Sequence, residues 1–158
     1  VTAPSIYTAF GDKKQLFLEA VDLYVGNPMF AELLIEDAAT AADAASALLK
    51  GAAIAYTGKD TPAGCLLASA AIVCSAEAED VRAALSAIRL RIETKLKKKI
   101  VEGIAKGEVR READPTALAG LVMAVIQGMS TLARDGASRQ KLLRVTTMAL
   151  AVWPYPVK

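Results

Sequence analysis

Thr2, Ala3, Ser5 and Thr8 are small polar or methyl-bearing side chains gathered in one short stretch, and Ile6 and Phe10 stand four apart among them. Wound as a helix, that stretch has an apolar back and a slim outer face. A rod of this shape fits the major groove of a nucleic-acid duplex, where hydroxyls and methyls meet base edges. Pro4 suits a first helical turn, and the Tyr7 hydroxyl can donate to a phosphate. Lys13, beside the free N–H groups that open the next helix, offers a second phosphate contact. The chemistry available here is recognition of a polyanion, not bond-making.

Catalysis lacks its parts elsewhere in the chain. There is no histidine, which removes imidazole bases, His-based triads and His metal ligands together. Ser69 and Ser75 have no basic partner and no nucleophile-elbow glycines, and no glycine-rich phosphate loop occurs. Cys65 and Cys74 are too few for a four-thiolate zinc site. Nine residues apart on one helix they face opposite ways, so each reads as a small buried apolar residue in a reducing compartment. Glu77, Glu79 and Asp80 sit where a long helix begins, and carboxylates there answer the helix dipole rather than a metal. Lys95, Lys97, Lys98 and Lys99 surround Leu96 and read as a solvated face. No enzyme, no metal and no cofactor are expected. A net charge of +2 is too small to argue for nucleic acid or membrane by itself.

The frame that must position these residues reads as all-α. Apolar residues make up 54% of the 158, aromatics only 5%, and alanine about a fifth. Alanine is the best helix former and lets helix axes approach closely. Helices are predicted over 2–10 (capped by Thr2), from Asp12 to about Val25, from Met29 to about Glu36 after Asn27-Pro28, and from Thr40 to about Tyr56. Residues 57–64 form a loop, followed by a short buried helix over 65–73. The longest helix spans Glu77 to about Lys106 with the stripe Val81, Leu85, Ile88, Ile92, Leu96, Ile100 and Ile104. Asp114-Pro115 opens a helix to Arg134, and Ser138 caps the last one, closed by Pro154.

The stretch from Thr116 to Ala133 carries no charge. Its length is borderline for a membrane span and its composition too polar, so no membrane is expected and the chain reads as cytoplasmic. Leu118, Leu121, Val122, Val125, Met129 and Leu132 project to one face; Gly120, Met123, Ala124, Gln127 and Thr131 project to the other. A helix without a charged face is covered on both sides, and one core of this size covers only one. The final helix is uncharged after Arg144. A homodimer is therefore expected, joined by two helices from each chain, with Leu121, Val125, Gly128, Leu132, Leu142, Val145, Thr146 and Ala149 at the interface.

The run from Ser5 to Phe17 resembles the end of the helix-turn-helix in TetR-family transcriptional regulators. Ile6, Tyr7, Phe10, Lys13 and Leu16 match that family's spaced pattern in place. Gly64-Cys65-Leu66-Leu67, and Gly103 to Glu108 ahead of the Asp-Pro helix start, are similar to one large branch of it. The resemblance implies a helix-turn-helix remnant over 1–25 and a ligand-binding and dimerisation domain over 26–158. It also implies a double-stranded DNA operator read through Thr2, Ala3, Pro4, Ser5, Tyr7, Thr8 and Lys13, and control by a small-molecule effector, most simply as a repressor. The effector site implied between the middle helices has Tyr56, Leu66, Ser69, Ile88, Ile92, Met123 and Gln127 as candidates, an apolar lining with few polar groups.

One departure stands out. The family carries two helices ahead of the recognition helix, and residues 1–25 hold a net charge of −1, poor for gripping a polyanion. The expectation is a sequence shortened at its start, for instance by a wrongly chosen GTG codon, whose operator binding is weak or lost as it stands. The alternative function is a helical ligand-binding or interaction homodimer without DNA-binding activity.

Overall fold

The computed structural model describes residues 8–26, 29–73 and 79–156. Every regular element among them is helical. These are α1 (Lys13–Val25), α2 (Phe30–Glu36), α3 (Ala41–Ala55), α4 (Leu66–Val73), α5 (Glu79–Ala105), α6 (Pro115–Arg134) and α7 (Arg139–Ala151). Residues 8–10 are also helical. The predicted start of the first helix at Thr2, the Asn27-Pro28 signal, and Cys74, Ser75 and Glu77 lie outside the described residues.

Short polar side chains start four of these helices by accepting N–H groups that a helix leaves unpaired. Asp12 accepts from the Gln15 N–H at 2.8 Å, and Thr40 from Asp43 at 3.1 Å. Asp114 accepts from Thr116 and Ala117, with Pro115 in the first turn, and Ser138 accepts from Lys141 at 3.2 Å. Met29 occupies the cap position of α2 and makes no such bond.

α3 is the hub, packing against α2, α5, α6 and α7. Its inward residues are mostly alanine (Ala41, Ala44, Ala45, Ala52, Ala53) with Leu48 and Leu49 between them. Small side chains bring the axes together: a Cβ on Gly103 of α5 would lie only 3.1 Å from the Ala41 Cβ. The α5 stripe goes inward as expected, with Val81, Leu85, Ile92, Leu96 and Ile100 buried and Ile88 and Ile104 packed at its margin.

Two readings of the surface need correcting. The lysine run is not simply solvated, because Lys95 pairs with Glu32 and Glu36 and Lys99 donates to the Ala38 carbonyl at 2.7 Å. These bonds stitch α5 to α2 and the turn after it. The rotation of α6 also differs from the projection. Ala119, Val122, Met123, Met129, Ser130 and Ala133 are buried, while Leu121 is exposed. Small residues (Ala119, Ser130, Ala133) share the inner face with large ones, so side-chain size alone does not mark it.

Candidate functional site

A cavity of about 260 Å³ lies where α1, α2 and the C-terminal half of α3 meet α4, α5 and α6. α1 contributes Tyr24 and Val25, and the α2 region Met29, Phe30, Ala31 and Leu34. α3 gives Leu48, Gly51, Ala52 and Ala55, followed by Tyr56 at its end. Cys65 and Leu67 line it beside α4, Ile92 on α5, and Met123 and Ile126 on α6. No lining residue carries a charge. Gly51 creates part of the space, since a Cβ there would stand 3.2 Å from the Leu34 Cδ1.

The polar atoms of this wall collect at one end. The Cys65 thiol neighbours the phenols of both Tyr24 and Tyr56, close enough to act on their titration. Burial, then the Cys65 sulfur, pushes the Tyr24 phenol up to about 12. The same causes raise Tyr56 further, with Tyr24 adding to them. Both phenols are therefore neutral hydroxyl donors at physiological pH.

The loop between α3 and α4 holds this end in place. Gly64 adopts φ of +89°, and a Cβ on it would come within 2.8 Å of the Arg134 Cγ and 2.9 Å of the Ser130 carbonyl oxygen. Only glycine fits that approach without strain. Its N–H donates to the Tyr56 carbonyl at 3.1 Å, and the Cys65 N–H donates to the Ser130 hydroxyl at 2.8 Å. Tyr56 and Cys65 are thus pinned together against α6.

Of the residues expected to bind a small molecule, Tyr56, Ile92 and Met123 line the cavity. Leu66, Ser69 and Ile88 are half-buried nearby on α4 and α5, and Gln127 faces outward from α6. Tyr24, 48% exposed, also lines the cavity and stands outside the expected set.

Thr2, Ala3, Pro4, Ser5 and Tyr7 lie outside the described residues. Thr8 is exposed, and so is Lys13 in the first turn of α1. The Asp12 carboxylate already occupies the Gln15 N–H, so a phosphate at this helix start would meet the Lys13 side chain more than bare backbone. Lys14 turns away to pair with Asp80 of α5. α1 packs mainly on α4, which joins the segment bearing Lys13 to the cavity wall.

Of the eight residues expected at a dimer seam, Leu121 and Gly128 are exposed on α6. Val125, Leu132, Val145 and Ala149 are half-buried. Leu142 and Thr146 turn inward and are filled around by the chain's own core, which corrects their placement at the seam. Met148 (70% exposed) and Val152 (64%) are the large apolar residues that α7 and its end present outward. α6 is long and apolar enough to cross a membrane by length and composition alone, and a third of its most apolar window is buried.

Residues 46–149 match the Tetracyclin repressor-like, C-terminal domain family. The chain is 34% identical to the HTH-type transcriptional repressor ComR of Escherichia coli (strain K12) over 161 residues, covering 99% of this chain and 75% of that protein. It superposes with a TM-score of 0.89 on the TetR family transcriptional regulator CifR, in a cysteine-substituted form complexed with a 26-base-pair operator duplex. That match is 34% identical and covers 98% of this chain and 81% of CifR. A second cysteine-substituted CifR complex with the same length of operator DNA matches to the same extent.

Proposed function

Since the chain belongs to the TetR family of transcriptional regulators, and so among DNA-binding regulators rather than enzymes, we propose that it is a repressor released from its operator by a small molecule held in the α1–α6 cavity. A regulator that reads DNA works in the compartment that holds it, here the cytoplasm. Two copies joined through the outer faces of α6 and α7 place two N-terminal recognition helices in successive major grooves, ~34 Å apart along the duplex. Thr2, Ala3, Pro4, Ser5, Tyr7 and Thr8 meet the DNA, and Lys13 contacts a phosphate. Residues 1–25 thereby act as the reading segment, and 26–158 as the body that binds effector and partner.

The observation that carries the effector half is that α1 itself forms part of the cavity wall through Tyr24 and Val25. A guest touching them bears on the helix that continues from the reading segment. If it prefers a spacing of the two recognition helices that DNA does not, linkage lowers operator affinity by the same factor that DNA lowers effector affinity.

The test is a binding titration on the intergenic DNA beside its own gene, with the protein as that gene encodes it. The regulator reading expects salt-sensitive, sequence-selective binding with two contacts one helical turn apart. Dimerisation and small-molecule binding with no DNA binding at any salt concentration would instead favour a helical ligand-binding protein without gene control.

A further inference from the structure

The cavity has a chemical polarity that narrows what it can hold, an argument that rests on its being the effector site. Its sides are hydrocarbon from Leu34, Leu48, Leu67, Ile92, Met123 and Ile126, while Tyr24, Cys65 and Tyr56 gather at one end. From this we infer that the effector is an uncharged, mostly hydrocarbon molecule with a single hydrogen-bond acceptor, seated on the Tyr24 and Tyr56 hydroxyls.

Size sets the first limit. A dry apolar cavity of ~150 Å³ takes a benzene-sized guest, so about 260 Å³ suits roughly ten to twelve heavy atoms. Charge sets the second. No lining side chain can pair with an ion, and an unpaired charge taken from water into such a wall is strongly disfavoured. Donor chemistry sets the third. Both phenols stay protonated and offer O–H groups to an ether or carbonyl oxygen, a better acceptor than the Cys65 sulfur beside them. Tyr24 belongs to α1 and Tyr56 to the pinned end of α3, so an acceptor bridging them ties the reading segment to the body.

Three probes of one shape test this by isothermal titration calorimetry on the whole protein: 1-tetralone, tetralin and tetralin-1-carboxylate. The ketone is expected to bind about three- to tenfold tighter than the hydrocarbon, the net worth of one neutral hydrogen bond, and the carboxylate weakest of all. Tyr56→Phe should reduce the ketone's advantage over tetralin, whereas a general loss of structure would weaken both probes alike. Tyr24→Phe is the second variant should the first fold poorly. Equal affinity for ketone and hydrocarbon, or preference for the carboxylate, overturns the inference while leaving the cavity as a binding site. Binding of none of the three overturns both the inference and the cavity's role as effector site.

Discussion

Arg91 on α5 grips Glu32 on α2 with two nitrogens, Nε reaching Oε1 and Nη2 lying 2.8 Å from Oε2. Glu32 is 6% exposed, so its carboxylate would be costly without that partner and the nearby Lys95. The pair latches α2, and with it Phe30, Ala31 and Leu34, over one side of the cavity. The hydrogen bond from Arg91 holds the Glu32 carboxyl below the usual range, against the opposing pull of burial, with Lys95 helping. A depressed folded pKa stabilises the protein above the unfolded glutamate value of about 4.3, and that contribution fades as the pH drops through the folded value. Glu32→Gln should therefore lower the melting temperature at pH 7, and its gap from wild type should close as pH is taken below 4. Melts of both proteins across pH 3–7 give the comparison; a gap that widens on acidification would refute the assignment.

Gly64 and Gly136 both adopt positive φ, +89° and +87°, but only Gly64 is crowded. Alanine at 136 meets nothing within 4 Å and should cost about 1 kcal/mol from backbone strain alone. Alanine at 64 adds a clash with the Ser130 carbonyl and should cost about 2–4 kcal/mol. Urea unfolding followed through the single tryptophan, Trp153, which is 6% exposed, measures both. Because Gly64 seats Tyr56 and Cys65, its variant should also lose small-molecule binding, which Gly136→Ala should keep.

The helical frame is legible because its signals are local. Asp12, Thr40, Asp114 and Ser138 cap where short polar residues precede apolar periodicity, and the α5 stripe is spaced by the helix itself. The cavity is legible only in part. Tyr56, Ile92 and Met123 fall on it, but Gln127 does not, because a polar residue in an uncharged helix need not face inward. With neither face of α6 charged, periodicity alone leaves its rotation open, and so Leu121 and Val122, projected to one face, part: Leu121 is exposed and Val122 buried. Tyr24 depends on how α1 meets α4, a tertiary contact that no local pattern encodes. The family resemblance at residues 5–17 is the exception: its specificity comes from fixed spacing, and relatives aligned over nearly the whole chain agree with it.

Lys13 and Lys14 are neighbours with different surroundings. Lys13 is exposed in the first turn of α1, whereas Lys14 pairs with Asp80, both side chains being about half exposed. Lys13→Ala should weaken operator binding for all sequences alike and flatten the dependence of log affinity on log salt by about 0.9, the signature of one lost phosphate contact. Lys14→Ala should leave that slope closer to wild type and change stability by less than about 1 kcal/mol, as for other exposed pairs. Equal slopes for Lys13→Ala and wild type would remove Lys13 from the interface.

Gly128 separates an exposed face from a covered one. A Cβ there meets nothing within 4 Å in the single chain, and Ala124 and Leu121 continue the same outer stripe of α6. In an isolated helix, alanine should be better than glycine by about 0.5–1 kcal/mol. Packed against a second copy, the same methyl occupies space that the partner's helix needs. Gly128→Ala is therefore expected to raise the stability of the dissociated chain and weaken self-association at once, two effects of opposite sign. If the outer stripe is the proposed seam, Ala124→Arg, which places an unpaired charge in it, should sediment more slowly than the wild type at equal concentration. If Ala124→Arg still sediments with the wild type, the two copies meet elsewhere and this stripe is not their interface.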